Sequence, residues 1–239
     1  MRDRLFVALD VDTLDDAGAL LDRLEGAVSG VKIGSQLFTA AGPGAVELIH
    51  KRGYRVFLDL KYHDIPNTVA GAVRAATRLG VFMLNVHASG GRDMMRAAAE
   101  AAAQAAHDFK VTRPIVLAVT VLTSLDRRAL ETEVGVVASV ESHVLRLAER
   151  AQAAGIDGCV ASPQEIARVR LALGPRFTIV TPGIRGGGDG GDDQRRVASA
   201  RAAMQAGADY LVVGRPITAA TDPRAAAAAI IAEAAAARS

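Results

Sequence analysis

The sequence predicts an α/β protein built as a single-domain (β/α)8 TIM barrel over residues 1–239. Three observations predict it. Short aliphatic runs alternate with longer helical stretches along the whole chain. The first four runs recur at roughly 25-residue spacing, about one βα unit each. The length of 239 residues, half of them apolar, accommodates eight such units around one core. Continuous apolar strands joined by helical crossovers require a parallel sheet buried on both faces. Eight units in this length favour closure over an open doubly wound sheet.

The elements follow in order. The first strand is expected at 5–11 and a helix at 13–25. No Gly-x-Gly-x-x-Gly motif follows that strand, which weakens a dinucleotide-binding alternative. Strands are then expected at 31–34 and 56–61, with a helix at 66–79. The fourth strand, 82–88, leads to a helix at 91–106, and the fifth, 114–122, to one at 137–153. The last three strands are expected at 158–162, 177–181 and 210–214, with a helix at 194–206 between the final two. The Ala-rich tail from Pro223 to Ser239 reads as a packing helix, because Ala has the highest helix propensity. No linker interrupts the chain.

Composition narrows the partners. A net charge of +2 without a dense basic run gives no electrostatic case for nucleic acid or an anionic membrane. Cys159, the one cysteine, lies in an apolar stretch and is expected to be a small buried hydrophobe. The first sixteen residues meet acids too early for a signal peptide, and no apolar run is long enough to cross a bilayer. A cytoplasmic protein is expected.

Strand alternation then locates polar side chains. Outer barrel faces pack on helices and must be apolar. If Val56, Leu58 and Leu60 face outward, Asp59 and Lys61 point into the barrel. The same logic turns Asp10 inward behind Leu5, Val7 and Leu9, and Lys32 inward between Val31 and Ile33. With Phe82, Leu84 and Val86 outward, Asn85 and His87 face inward. Asp10, Lys32, Asp59 and Lys61 should therefore converge at the C-terminal ends of adjacent strands, where barrel active sites lie. The chain has only four lysines, and two of them are in this set. A lysine has a tunable pKa suited to proton transfer. A purely structural ion-pair network is the competing explanation, but buried ion pairs are weak stabilisers and apolar residues would fill the space more readily.

The stretch Phe57-Leu58-Asp59-Leu60-Lys61-Tyr62-His63-Asp64-Ile65-Pro66-Asn67-Thr68-Val69 resembles the Asp-x-Lys-x-x-Asp-Ile-x-Asn-Thr signature of the orotidine 5′-monophosphate decarboxylases. Leu9-Asp10, Val31-Lys32-Ile33-Gly34, Thr181-Pro182-Gly183-Ile184-Arg185 and Val213-Gly214-Arg215-Pro216-Ile217 agree in order and spacing, as does Asp193-Gln194. The resemblance implies decarboxylation of orotidine 5′-monophosphate to UMP with no cofactor and no metal. It implies that Lys32, Asp59, Lys61 and Asp64 form an alternating charge array, with Asp64 reaching the neighbouring subunit of a homodimer. Asp10 and Lys32 would bind ribose hydroxyls, with Thr68 from the partner. Thr123 would contact the pyrimidine, and Pro182 the substrate. Arg185, Gln194, Gly214 and Arg215 would hold the phosphate, on the face where barrels commonly bind it. The glycine-rich run within 183–194 reads as a lid over bound ligand.

Three alternatives remain. A magnesium-dependent sugar-phosphate decarboxylase or aldolase of the same superfamily shares the Asp-x-Lys-x-x-Asp core, but its relatives carry an acidic ligand where Lys32 stands here. A metal-dependent epimerase is suggested by His63 and His87, although neither forms a His-x-Asp pair with inward alternation, and each reads more simply as a hydrogen-bonded interior histidine. His50, His107 and His143 are expected to face solvent. A non-catalytic nucleotide-binding barrel would require a missing array residue, and all four positions are filled.

Overall fold

The computed structural model describes residues 1–185 and 197–237. Eight parallel strands close into a barrel in sequence order. They are β1 (Leu5–Leu9), β2 (Gly30–Gly34), β3 (Arg55–Tyr62), β4 (Met83–His87), β5 (Ile115–Val119), β6 (Gly158–Val160), β7 (Thr178–Thr181) and β8 (Tyr210–Val213). β1 pairs with both β2 and β8, which completes the ring.

Alternation along the strands separates two cores. Leu5, Val7, Leu9, Val31, Ile33, Val56, Leu58, Leu84 and Val86 join the outer core between sheet and helices. Phe6, Ala8, Phe57, Met83, Leu117, Val180 and Val212 fill the barrel interior. Full burial of each large aliphatic or aromatic side chain contributes about 1.5–3 kcal/mol, so the two-sided pattern fixes the register. Cys159 is fully buried in the outer core, as expected, and burial pushes its thiol up to about 12.

Phe82 departs from the expected alternation. It precedes β4 and stacks on Phe6 at a centroid distance of 5.8 Å. Tyr210 meets the edges of both rings at 5.8 and 5.9 Å, and the Arg55 guanidinium lies 4.3 Å from the Phe82 centroid. These residues form a floor at the N-terminal end of the barrel. Gly30 makes room for it, since a Cβ there would approach the Phe6 ring to 2.4 Å.

The helices Leu14–Arg23, Pro66–Arg78, Arg92–Phe109, Val140–Ala153, Ala200–Ala206 and Pro223–Ala235 follow the expected pattern. Their starts are encoded locally. Thr13, Ser139, Ser199 and Asp222 each accept a hydrogen bond from a first-turn backbone N–H. Pairs of shorter segments such as Ser35–Ala41 and Pro43–Lys51 complete the outer ring. Between β7 and β8, the Asp209 carboxylate accepts from Arg170 at 2.6 Å and from the Ile179 N–H at 2.9 Å. Asp157 does the same for Arg113 and the Val116 N–H. Both clamps sit away from the polar end of the barrel. No helix among the described residues is long and apolar enough to cross a membrane.

Candidate active site

A cleft of about 580 Å³ opens at the C-terminal ends of the strands. Asp10, Lys32, Asp59, Lys61, Thr123, Pro182, Arg185, Gly214 and Arg215 all line it. Strand β1 stops at Leu9, so Asp10 sits just past its end, with a side chain 59 % exposed at the rim. Thr123 likewise lies beyond the end of β5 rather than next to its last residue.

The charges form a chain. Lys32 Nζ lies 3.4 Å from Asp10 Oδ1 and 3.2 Å from Asp59 Oδ2. Lys61 Nζ donates to the other Asp59 oxygen, Oδ1, at 2.8 Å. Lys32 and Asp59 are only 9 % and 8 % exposed, so these are desolvated charges that hold one another. Burial alone would raise the Asp59 carboxyl. Lys32, Lys61 and hydrogen bonds from Lys61 and Asn85 outweigh it and hold the group below its ordinary 3.8. Gly34 leaves the Lys32 amine its space, because a Cβ there would stand 3.2 Å from Nζ.

Local backbone geometry at Lys61 is unusual. Lys61 has φ 52, in the left-handed region. For an L-residue this costs about 1–2 kcal/mol. The other non-glycine example among the described residues, Lys110, merely ends a helix. Lys61 lies in an irregular stretch where the β3–β4 register shifts. Leu58 pairs with Leu84 and Tyr62 with Val86, so three β3 residues stand opposite the single Asn85. Perfect alternation, assumed from the sequence, thus breaks at the residues of interest.

Asn85 fills that gap. It is fully buried, its amide donates to Asp59 Oδ1 at 2.7 Å, and its carbonyl oxygen accepts from the Lys61 N–H at 2.8 Å. The sequence marked it as an inward polar residue but gave it no task. Gln36, Ser162 and Thr218 also line the cleft without a sequence signal that distinguished them.

Other expected residues are placed differently. Asp64 and Thr68 are exposed and stand outside the cleft of their own chain. Asp64 accepts a hydrogen bond from the Ile65 N–H at 2.6 Å. Gln194 and the glycine-rich run 186–191 lie outside the described residues, so the expected lid does too. Its flanks pair with each other: the Arg185 N–H donates to Ala198 at 3.0 Å and the Ala198 N–H to Gly183 at 3.1 Å. His63, expected in the interior, is instead exposed beyond the end of β3 and packs against the half-buried His87 at 5.3 Å between centroids. Burial, with the neighbouring His63 and Lys61, lowers the His87 pKa against an opposing pull from Asp59. His50 and His107 are exposed, but His143 is half-buried rather than free in solvent.

A family model described as "Orotidine 5′-phosphate decarboxylase / HUMPS family" matches residues 3–230. The chain belongs to this family. Among curated members, the orotidine 5′-phosphate decarboxylase of Moorella thermoacetica is 56 % identical over 232 residues, covering 97 % of this chain and 92 % of the relative. That of Halorhodospira halophila is 56 % identical over 98 % of this chain and 97 % of its own. Among solved structures, orotidine 5′-phosphate decarboxylase from Lactobacillus acidophilus superposes with a TM-score of 0.85 at 36 % identity, covering 98 % of this chain and 99 % of that one. Family membership and barrel closure thus agree.

Proposed function

We propose that this member of the orotidine 5′-phosphate decarboxylase / HUMPS family decarboxylates orotidine 5′-monophosphate to UMP and CO2, without a cofactor, as a step of pyrimidine biosynthesis. The observation that carries the reading is the placement of one buried carboxylate, Asp59, between two lysines at the cleft.

Losing CO2 breaks the bond between C6 of the pyrimidine and its carboxylate. The electron pair stays on C6, where no adjacent group in the ring can accept it. The protein must then stabilise that charge. The Lys61 ammonium, held by Asp59, supplies a preorganised cation and afterwards donates its proton to C6. At about 4 Å and an effective dielectric near 20, one such pair is worth roughly 4 kcal/mol. Enzymatic barrier reductions reach roughly 20 kcal/mol, so other contributions are required. A fixed Asp59 charge beside the substrate carboxylate disfavours the bound ground state. Phosphate contacts from Arg185, Gln194, Gly214 and Arg215 and ribose contacts from Asp10 and Lys32 supply the remaining binding energy and fix geometry. Thr123 and Pro182 would border the pyrimidine and the adjoining wall of the cleft.

The chain acts as a homodimer in this reading, with Asp64 and Thr68 completing the partner's site. Their exposure outside their own cleft supports that role. Lys32 at the second strand opposes a magnesium ion at that position, which disfavours the metal-dependent sugar-phosphate alternative. The cytoplasm is the proposed location. The test is direct: loss of orotidylate absorbance and appearance of UMP with purified chain, undiminished by EDTA. No absorbance change with folded protein would overturn the assignment.

A further inference from the structure

We infer that Asn85 is a positioning residue for the reaction, holding the Asp59 carboxylate and the Lys61 backbone in register; the inference rests on the decarboxylase reading above. One side-chain amide makes both contacts. Its NH2 group donates to Asp59 Oδ1 and its oxygen accepts from the Lys61 N–H. Asp59 Oδ1 therefore receives Asn85 and Lys61 together, while Oδ2 lies on Lys32. Both oxygens of the carboxylate are thereby engaged, which opposes its rotation. The second contact bears on the left-handed turn at Lys61, where the register shift leaves that N–H facing Asn85 instead of a ladder partner.

Few side chains could do both jobs at this point. Aspartate has the shape but would set a second negative charge against Asp59. Leucine has a similar size but neither donates nor accepts. The β5 residue paired with Asn85 is Leu117, so no polar group on that side substitutes for it. The charged and titratable groups around the amide are Asp59 and Lys61 on β3, Lys32 on β2 through Asp59, and His87 farther along β4 with His63 against it.

The experiment compares wild type, Asn85→Leu and Asn85→Asp as full chains across pH 5–9, with thermal melts to establish folding. In Asn85→Leu, loss of two hydrogen bonds, one to a charged group, lowers kcat about a hundredfold. KM changes by less than about threefold, because ribose and phosphate contacts are untouched. In Asn85→Asp, the ratio of its kcat to that of wild type rises about tenfold as pH falls, because a protonated carboxyl regains the donor and keeps the acceptor. Normalising to wild type removes the titration of groups that both proteins share, such as His87. A folded Asn85→Leu with kcat within threefold of wild type, or with only KM altered, overturns the inference. If Asn85→Leu does not fold, a pH-independent ratio for Asn85→Asp overturns it and a rising one sustains it. Inactive wild type would remove the decarboxylase reading and this inference together; active wild type with a flat ratio removes the inference alone.

Discussion

Lys32 Nζ contacts Asp59 through Oδ2 at 3.2 Å, the carboxylate oxygen that Lys61 does not use. The two lysines therefore neither compete for a lone pair nor exchange places. Lys32 also reaches Asp10, so it links the rim of the cleft to the buried Asp59. Lys61 keeps the more open end, with a side chain 35 % exposed against 11 % for Lys32. In the proposed reaction the amine that moves the proton is thus the one that solvent reaches.

Replacement of Lys61 by Ala removes the cation and proton donor of the proposed mechanism. Turnover should fall at least about a thousandfold, while UMP still binds through the ribose and phosphate contacts. Stopped assays of orotidylate loss and calorimetric UMP titration check the two halves. Residual kcat within tenfold of wild type would place the proton donor elsewhere.

Arg215→Ala and Gln194→Ala test remote binding. Each should reduce kcat/KM by about tenfold to a hundredfold although neither is expected to touch the pyrimidine. Steady-state kinetics with both variants decide it, and unchanged kcat/KM in both removes phosphate binding from the account.

A shared site gives a characteristic mixing result. Lys61→Ala and Asp64→Ala dimers should each be nearly inactive. After subunit exchange at equal amounts, half the dimers are hybrids with one intact site of two, so activity should recover to about a quarter of wild type. Exchange proven by mass spectrometry without recovery argues that Asp64 does not act across the interface.

Acid should weaken the fold in two windows. The folded pKa of His87 lies below its ordinary 6.5, so the unfolded chain binds more protons there. Stability is full above about 6.5 and declines as pH falls towards the lowered value. Partial burial, with Arg146 and Arg150 nearby, lowers His143 as well and adds to the slope. Asp59 behaves oppositely in origin: its contribution is present above the ordinary 3.8 and is lost as pH falls through its lower folded value. Urea midpoints from pH 8 to pH 5 should fall, and His87→Asn should reduce that fall without abolishing it. An identical slope in the variant would show that His87 titrates normally.

Asp209 provides a structural control. Its carboxylate joins Arg170 and the Ile179 N–H on the far side from the cleft. Asp209→Ala should destabilise the chain by about 2–4 kcal/mol with kcat unchanged at low temperature. A kcat defect equal to that of the cleft variants would mean that the clamp reaches the reacting end.

Much of this arrangement was legible in the sequence because side-chain burial follows strand period. Val7, Val31, Leu58 and Leu84 are fully buried against helices, and the residues between them face the interior, as two-residue alternation requires. Asp10, Lys32, Asp59 and Lys61 could be assigned to one cleft from strand alternation, and Thr123, Pro182, Arg185, Gly214 and Arg215 through the family resemblance; all nine line it. Two things were not legible. Periodicity carries no information about a register shift, so the left-handed turn at Lys61 and the reach of Asn85 were invisible. Phe82 was assigned by parity within a strand that starts one residue later, which turned it to the wrong side. Asp64 and Thr68 could be assigned only through the family signature, since their own chain gives them no partner in the cleft.

The aromatic floor formed by Phe6, Phe82 and Tyr210, with Arg55 laid across it, makes the barrel a blind alley. Substrate enters and both products depart by the same mouth, so the order of departure matters. In the proposed reaction carbon dioxide, small and uncharged, would leave past a nucleotide held by its phosphate, whereas the nucleotide would have to release that phosphate first.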